Sequence, residues 1–263
     1  MPHILYQVDA FTEDPFRGNP AAVVLLKAPE PEDWMQAFAA EMNLSETAYL
    51  LPEGEGWGLR WFTPATEVDL CGHATLASGK VLFEIYPEMR MEPVIFYTRS
   101  GELSARWVDD LIELNFPAML FEPITVIASL PEILGFRPIG AVRSGNYYLF
   151  EALDEGLIRN AQPDINALKT LPMPEVIITA RSEDPEIDFV SRFFAPQLGV
   201  DEDPVTGSAH CLLAPYWAKK LGKTEMIAHQ RSERGGYLNL RLNGERVFIT
   251  GAAKIIFQAD LLI

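Results

Sequence analysis

The feature that most constrains the fold of this chain is an internal repeat, because the same landmarks occur in the same order in both halves. Four matched pairs follow one another: residues 18–19 with 145–146, Glu46 with Glu175, residues 60–64 with 192–196, and residues 72–74 with 207–209. Chance gives single matches of this length, but it rarely gives an ordered series whose offset rises slowly. The sequence therefore predicts an internal duplication and two similar structural units.

Each copy contains short runs that are rich in β-branched and aromatic residues and are separated by Gly, Pro and acidic residues, a pattern typical of strands. In the first copy these runs are HILYQVDAF, AAVVLL, ETAYLL, LRWF, VIFYTR, LSARWV and LIELNF. One apolar helix with few charges is expected in each copy, over residues 74–85 and 209–217, and a helix of this kind is usually enclosed by its own sheet. The predicted class is α+β, with two pseudo-symmetric halves, each a curved, mostly antiparallel sheet or barrel around a central helix.

Domain boundaries follow from the repeat and from the end of an apolar run near Pro117. The first repeat is expected to span 1–116 and the second 117–252, with a helical segment over 124–134 near the start of the second. The tail 253–263 has no counterpart late in the first copy and is expected to pair back onto it. Two units of this kind would leave a cleft between them as the natural ligand site.

Composition excludes several classes of function. The 263 residues contain 21 basic and 37 acidic side chains, a formal charge of −16, which repels nucleic acids and anionic lipid surfaces. No apolar run is long enough to span a membrane, and no export signal is recognised at the start. The only two cysteines, Cys71 and Cys211, fit reduced thiols in the cytoplasm. Neither a dinucleotide fingerprint nor a phosphate loop is present, so no cofactor is expected.

The two predicted central helices each begin with a Gly-X-Ala sequence after a loop that contains acidic residues. Backbone N–H groups at a helix start, together with the helix dipole, form an anion site, and glycine allows a ligand to approach closely. Such a pair of sites suits a carboxylate whose neighbouring carbon loses a proton. The alternative is ordinary helix capping by Asp69, Thr206 and Ser208.

Four segments in order resemble the phenazine-biosynthesis PhzF-like family, which has the diaminopimelate epimerase fold: PFRGNPAAVVLL, MNLSETAYL, TPATEVDLCGHATLA and DPVTGSAHC. The resemblance implies that Glu46 removes a proton from a cyclic diene carboxylate and returns it to another carbon. It places three further catalytic groups at His73, Asp203 and Ser208. It also implies a homodimer with no metal or organic cofactor, and backbone donors at the two helix starts. The expected substrate-binding residues are Asn19, Cys71, Gly72, Thr206 and Gly207.

One difference from the epimerase relatives changes the expected chemistry. Those enzymes carry a cysteine before the glycine in each half, whereas here Cys71 precedes Gly72 but Thr206 precedes Gly207. A single carboxylate is better suited to moving a proton along a conjugated system than to inverting one carbon. Partial burial is expected to raise the pKa of Glu46. Glu175, its counterpart, is expected to be non-catalytic and serves as an internal control, since a glutamate at a strand start is often only a solvated charge.

Two other classes of function remain open. A metal site would use Cys71, His73, His210 and Cys211, but their spacings do not resemble those of common zinc sites. A binding protein could retain the fold without any chemistry, because fold does not determine function. The sequence does not identify the substrate, and specificity is expected to reside in the less repeated loops 53–58 and 141–146.

Overall fold

The computed structural model of this protein describes residues 3–263. The part of the chain up to Pro117 contains eight strands and two helices: β1 (Ile4–Ala10), β2 (Asn19–Leu25), α1 (Glu32–Met42), β3 (Glu46–Glu53), β4 (Gly56–Phe62), β5 (Glu67–Val68), α2 (Gly72–Ile85), β6 (Val94–Thr98), β7 (Gly101–Val108) and β8 (Leu111–Pro117). The remaining strands and helices are β9 (Glu122–Pro123), α3 (Leu130–Leu134), β10 (Gly140–Ser144), β11 (Tyr147–Glu151), α4 (Glu155–Asn160), α5 (Ile165–Thr170), β12 (Glu175–Arg181), β13 (Phe189–Ala195), β14 (Val200–Asp203), α6 (Gly207–Leu221), β15 (Glu225–Gln230), β16 (Gly236–Asn243), β17 (Arg246–Gly251) and β18 (Ala253–Asp260).

The chain divides into two compact units, one ending at Phe116 and including Phe248–Ile263, the other formed by Pro117–Val247. In the first unit the strands pair in the order β18, β1, β2, β3, β4, β6, β7, β8. These pairs are antiparallel except for the parallel pairs β2–β3 and β4–β6, and β5 pairs with β4. No helix within residues 3–263 has the length and apolarity needed to cross a membrane.

The second unit has the same strand order and directions. Its strands pair in the order β9, β10, β11, β12, β13, β15, β16, with parallel pairs β11–β12 and β13–β15 and with β14 on β13. Parallel neighbours need a crossover connection. Helix α1 lies between β2 and β3, and α2 lies between β4 and β6. In the second unit α5 lies between β11 and β12, and α6 lies between β13 and β15. The two units therefore share one order of strand pairing, and the duplication stays a prediction.

Helix α2 packs against strands β1, β2, β3, β7 and β18 of its own unit. Most of its buried side chains are small or apolar, and its two hydroxyl groups bond back into the helix, from Ser78 to the carbonyl of Ala74 at 2.7 Å and from Thr75 to that of Cys71 at 2.5 Å. Both buried hydroxyl groups therefore have partners. A Cβ at Gly79 would lie 3.0 Å from that of Ala105, so glycine permits the close approach to β7.

Helix α6 is anchored to its sheet mainly by aromatic side chains. Trp217 stacks on Phe189 of β13, with ring centroids 5.5 Å apart, and its indole N–H donates to the hydroxyl of Thr179 in β12 at 3.0 Å. Tyr216 donates to the Glu151 carboxylate at 2.6 Å. Both polar ends of these large side chains are thus satisfied inside the unit.

The helix predicted over 124–134 is wrong for most of its length, because only Leu130–Leu134 is helical. Two features explain the difference. Thr125, Val126 and Ile127 are β-branched and disfavour helix, and Pro131 is tolerated only in a first turn. The helix therefore begins next to the proline and ends at Gly135, whose φ of 79° is left-handed.

Candidate active site

Glu46 and His73 meet in the first unit. Glu46 begins β3, where the parallel pairing sets it beside Ala21 of β2, and His73 lies in the first turn of α2. The Nε2 atom of His73 is 3.2 Å from Oε2 of Glu46, close enough for direct contact, and both atoms are buried. The side chain of His73 is 4% exposed and that of Glu46 is 17% exposed. Glu46 is therefore the more exposed residue of the pair.

The other ring nitrogen of His73 is held inside the same unit. The amide nitrogen of Asn19 lies 3.1 Å from Nδ1, and the sulfur of Cys71 lies 3.5 Å from the same atom. Burial lowers the pKa of His73 to about 3, so the ring is neutral at physiological pH. Because an amide NH2 group only donates, Nδ1 accepts, and the neutral ring carries its proton on Nε2, facing Glu46.

A tight turn delivers Asn19 to this position. Gly18 has a φ of 62°, and a Cβ there would lie 2.1 Å from the carbonyl oxygen of Ala10. Only glycine fits such a left-handed residue against a neighbouring strand. The Gly-Asn-Pro sequence that predicted a turn thus also places a wholly buried amide against His73.

Matching ion pairs fix the loops that lead to both helix starts. Arg60 of β4 makes two bonds to the Glu67 carboxylate of β5, both 2.7 Å long. In the second unit Arg192 of β13 makes the same two bonds to Glu202 of β14, at 2.7 and 2.8 Å. Paired bonds of this kind fix geometry as well as distance. Each therefore ties a loop to its sheet just before α2 or α6 begins.

The ordinary capping predicted as an alternative does not occur at either helix within residues 3–263. Cys71 and Thr206 are the N-cap residues of α2 and α6, and neither makes a side-chain cap bond. The hydroxyl of Thr206 instead donates to Asp203 at 2.5 Å. Without a side-chain cap, the first-turn N–H groups retain the character of an anion site.

Asp203 is held by a residue that the sequence analysis missed, the wholly buried Gln230 at the end of β15. The Gln230 amide donates to the carbonyl of Asp203 at 2.7 Å and to the Thr206 hydroxyl at 3.1 Å, and its oxygen accepts from the Thr206 backbone at 2.8 Å. All three bonds involve the turn just before α6. Gln230 therefore fixes both the Asp203 backbone and the helix start.

Glu175, the counterpart of Glu46, begins β12 and lies opposite Tyr147, the first residue of β11, in the parallel pair. Burial raises the pKa of Glu175, and the neighbouring Tyr147 phenol partly opposes that rise. Glu175 and Glu46 thus begin equivalent strands but have different neighbours, a phenol in one case and an imidazole in the other.

The residues expected at the site form two clusters, each within one unit. The first unit brings together Asn19, Glu46, Cys71, Gly72 and His73. The second unit brings together Asp203, Thr206, Gly207 and Ser208. Sequence reasoning missed Gln230, which contacts members of the second cluster.

The first cluster is poorly arranged for a metal ion. Ligand atoms of Glu46, Cys71 and His73 lie within 4.8 Å of one another. However, the sulfur lies beside Nδ1 of the ring and the carboxylate beside Nε2. The thiol and the carboxylate therefore lie against different edges of the imidazole ring.

The second unit's candidate metal ligands are bonded within their own helix. His210 Nδ1 lies 2.8 Å from the carbonyl of Thr206, and the Cys211 thiol, whose pKa burial raises to about 12, lies 4.0 Å from that of Gly207. A thiol with so high a pKa is a poor metal ligand.

Comparison with known proteins agrees with the resemblance seen in the sequence. The model of the phenazine biosynthesis-like protein family matches residues 8–259. A protein described as an uncharacterized isomerase from Halalkalibacterium halodurans is 46% identical over 260 residues, which cover 98% of this chain and 98% of that protein. A crystal structure of a phenazine biosynthesis protein of the PhzF family from Enterococcus faecalis has a TM-score of 0.95 and 43% identity, and the match covers 100% of both chains.

A more distant structure shows how far the fold extends. A probable proline racemase from Agrobacterium radiobacter has a TM-score of 0.67 at 15% identity, covering 99% of this chain and 93% of that one, which shows a likeness of fold alone. The predicted epimerase-like fold is confirmed. The chain belongs to the phenazine biosynthesis-like, or PhzF-like, family and is an isomerase.

Proposed function

We propose that this isomerase moves a proton between two carbon atoms of a small cyclic or amino-acid-derived carboxylate, with Glu46 as the base that removes the proton and the acid that returns it. The observation that carries the proposal is the contact between Glu46 and a neutral His73, at 3.2 Å. His73 lies in the first turn of α2, where backbone N–H groups can hold an anion, and Glu46 of β3 lies against it. A base beside an anion site is the minimum that such a reaction needs.

The reaction requires neither an oxidant nor a reductant. The carboxylate of Glu46 takes the proton as a C–H bond breaks, and the electron pair moves along the conjugated system of the substrate. A new C–H bond then forms at a second carbon with the same proton. His73, which carries its hydrogen on Nε2, stabilises the Glu46 carboxylate before the proton is taken.

The environment of Thr206 supports a proton shift over the inversion of one carbon. A two-base epimerase of this fold would need a thiol at that position, and the threonine hydroxyl there is bonded to Asp203 at 2.5 Å. The start of α6 offers backbone donors of the same kind as α2, and Asp203 and Ser208 offer polar side chains for the substrate. These two side chains are proposed to orient the ligand, while Glu46 does the chemistry.

Solvent exchange tests the proposal. The protein is incubated in D2O with a panel of cyclic diene carboxylates and amino-acid-derived carboxylates, and deuterium entering a C–H position is followed by NMR. We expect exchange with at least one substrate, and a loss of about 100-fold or more in Glu46→Gln, because the amide cannot accept the proton. The matched control is Glu41→Gln, an exposed residue of helix α1 that belongs to neither cluster, which should keep full activity.

Two results would contradict the proposal. An active Glu46→Gln protein would remove this residue from the mechanism. A carboxylate that binds tightly by calorimetry without any exchange would favour the alternative, a binding protein that retains the fold. The homodimer and the cytoplasmic location stay predictions, and light scattering on the purified protein tests the first of them.

A further inference from the structure

In each of the two long helices, α2 and α6, a side chain bonds to the carbonyl of the residue that precedes the helix. In α2 the Thr75 hydroxyl donates to the carbonyl of Cys71 at 2.5 Å. In α6 the Nδ1 atom of His210 lies 2.8 Å from the carbonyl oxygen of Thr206. Thr75 and His210 directly follow the matched Gly-X-Ala sequences. The two helices therefore make the same bond at matched positions with different side chains.

The contact with Thr206 decides which nitrogen of His210 carries a hydrogen. A carbonyl oxygen only accepts, so Nδ1 is the protonated nitrogen and donates to it. Burial lowers the pKa of His210 to about 4, and the ring is therefore neutral at physiological pH. This wholly buried imidazole thus supplies one fixed donor to the carbonyl, as the wholly buried hydroxyl of Thr75 does in α2.

Each of these carbonyl groups shares a planar peptide with the N–H of a glycine. The carbonyl of Cys71 belongs to the same peptide as the N–H of Gly72, and that of Thr206 to the same peptide as the N–H of Gly207. No peptide bond within residues 3–263 is cis, and in a trans peptide the C=O and N–H bonds point in opposite directions. A carbonyl held towards the next turn of its helix therefore holds the N–H pointing outward from the helix start. The bond to the carbonyl also polarises the N–H and makes it a stronger donor.

Ser78 makes a bond of the same kind in α2 but fixes a different sort of peptide. Its hydroxyl donates to the carbonyl of Ala74 at 2.7 Å, a common arrangement for serine and threonine in helices. The N–H of that peptide belongs to Thr75 and already donates to the Cys71 carbonyl at 3.2 Å. The N–H of Gly72, in contrast, is the first of its helix and has no intrahelical acceptor. Ser78 therefore fixes a donor that the helix uses itself, whereas Thr75 fixes one that the helix does not use.

We propose that Thr75 and His210 are positioning residues, each of which aims the N–H of the first glycine of its helix at an anionic oxygen of the ligand. The inference rests on the proposed function, in which the helix starts hold a carboxylate. Both side chains are wholly buried, so each acts on the ligand through a peptide group of its own helix. Neither N-cap residue makes a side-chain cap bond that would occupy the first turn.

Residual dipolar couplings of 15N-labelled protein measure the directions of the two N–H bonds without any ligand. Thr75→Val keeps the shape of the side chain but removes its donor, so it should change the coupling of Gly72 and leave that of Gly207 unchanged. His210→Phe should have the reverse effect. Ser78→Ala removes a bond of the same kind and should change neither coupling. If Thr75→Val and His210→Phe leave the couplings of their own glycines unchanged, the proposal is wrong.

Variants that retain a donor separate loss of the bond from a general loss of packing. Thr75→Ser keeps the hydroxyl, and His210→Asn places an amide N–H where Nδ1 was. Both should restore the coupling of the unmodified protein. Failure of both to restore it would mean that the shape of the side chain, and not its hydrogen bond, sets the direction of the N–H.

Binding tests whether the N–H groups meet the ligand. The carboxylates of the exchange experiment are titrated into the labelled protein while the amide signals of Gly72 and Gly207 are followed. A carboxylate that binds should shift at least one of these signals. Loss of the side chain that positions this amide, in Thr75→Val or His210→Phe, should weaken binding about five- to tenfold. Ser78→Ala should bind as tightly as the unmodified protein.

For a carboxylate that undergoes exchange, the same variant should raise KM by about the same factor and change kcat less, because the N–H holds the ligand before and during the reaction. A bound carboxylate that shifts neither amide, or that binds Thr75→Val and His210→Phe as tightly as the unmodified protein, would overturn the proposal. So would the absence of binding by every carboxylate tested. Absence of exchange alone defeats the proposed function, whereas the couplings and the binding still decide whether the two side chains position the N–H groups.

Discussion

Asn19 and His73 lie on different elements of the first unit, and the amide nitrogen of Asn19 is 3.1 Å from Nδ1 of the ring. This contact decides which ring nitrogen carries the proton. A histidine near a catalytic carboxylate can donate to it only if its proton is on the nearer nitrogen. The buried amide therefore leaves the imidazole proton on Nε2, the nitrogen that faces Glu46.

Replacing Asn19 with aspartate should reverse that tautomer. A carboxylate beside Nδ1 accepts instead of donating, and it also favours the charged ring, so the pKa of His73 should rise from its value of about 3. We expect solvent exchange to fall by about 10- to 100-fold, as for other partners that orient a functional histidine. 15N NMR of the imidazole reports both effects. Asn146→Asp, at the exposed equivalent position, is the control and should change neither the tautomer nor the pKa of His73.

Gly18→Ala should cost about 2–4 kcal/mol of unfolding free energy, since a left-handed φ and a steric clash add together. The Cβ would lie 2.1 Å from the Ala10 carbonyl oxygen. Gly145 is its counterpart, with a φ of 56° and nothing within 4 Å of a Cβ, so Gly145→Ala should cost only about 1–2 kcal/mol. Urea unfolding measures the free energy of unfolding of both variants. Equal losses in the two variants would show that the contact of residue 18 with β1 does not affect stability.

Gln230→Leu should lower both stability and activity. The change leaves the Thr206 backbone N–H and the Asp203 carbonyl without their buried partners, at a cost of about 2–4 kcal/mol. Gln197→Leu is a matched control, because the Gln197 amide also bridges backbone carbonyls, those of Leu168, Leu171 and Met173. We expect both variants to be less stable in urea, but only Gln230→Leu to lose solvent exchange when assayed well below its unfolding midpoint.

Acid should destabilise the protein before most carboxylates are protonated. Burial lowers the pKa of His73 to about 3 and those of His210 and His229 to about 4. These values lie below the ordinary one of about 6.5, so the unfolded chain binds protons more readily and stability falls as the pH drops from about 6.5 towards 4. The unfolding free energy of His210→Gln should fall less over this range. If the unfolding free energies of the original protein and of His210→Gln fall equally with pH, the acid sensitivity does not come from His210.

Much of the fold could be predicted because its signals are local. Runs such as AAVVLL and VIFYTR have the β-branched composition of strands, and they form β2 and β6. Helix α1 was missed although Glu32 and Asp33 stand in its first turn and Asn43 ends it in a left-handed conformation. These are ordinary helix signals, but only Met35, Phe38 and Ala39 are buried, so the apolar periodicity of α1 is weak.

The site residues that escaped prediction depend on contacts between distant parts of the chain. Gln230 is one polar residue at the end of a strand, and only the fold brings its amide to Thr206. Thr206 and Asp203 are likewise joined to Gln230 only by the fold, through the bonds of the Gln230 amide to the Asp203 carbonyl and the Thr206 hydroxyl. Motifs show residues that lie near one another in sequence, whereas these bonds join residues far apart in it.

The pairing of β18 with β1 has a consequence for synthesis on the ribosome. Residues 4–10 emerge before the second unit is made, but their partner, residues 253–260, leaves the ribosome only after the whole of that unit. The unit formed by Pro117–Val247 is continuous in sequence, so it can fold while the other still lacks a strand. Until then β1 has one exposed edge, which a nascent chain must protect from pairing with other strands.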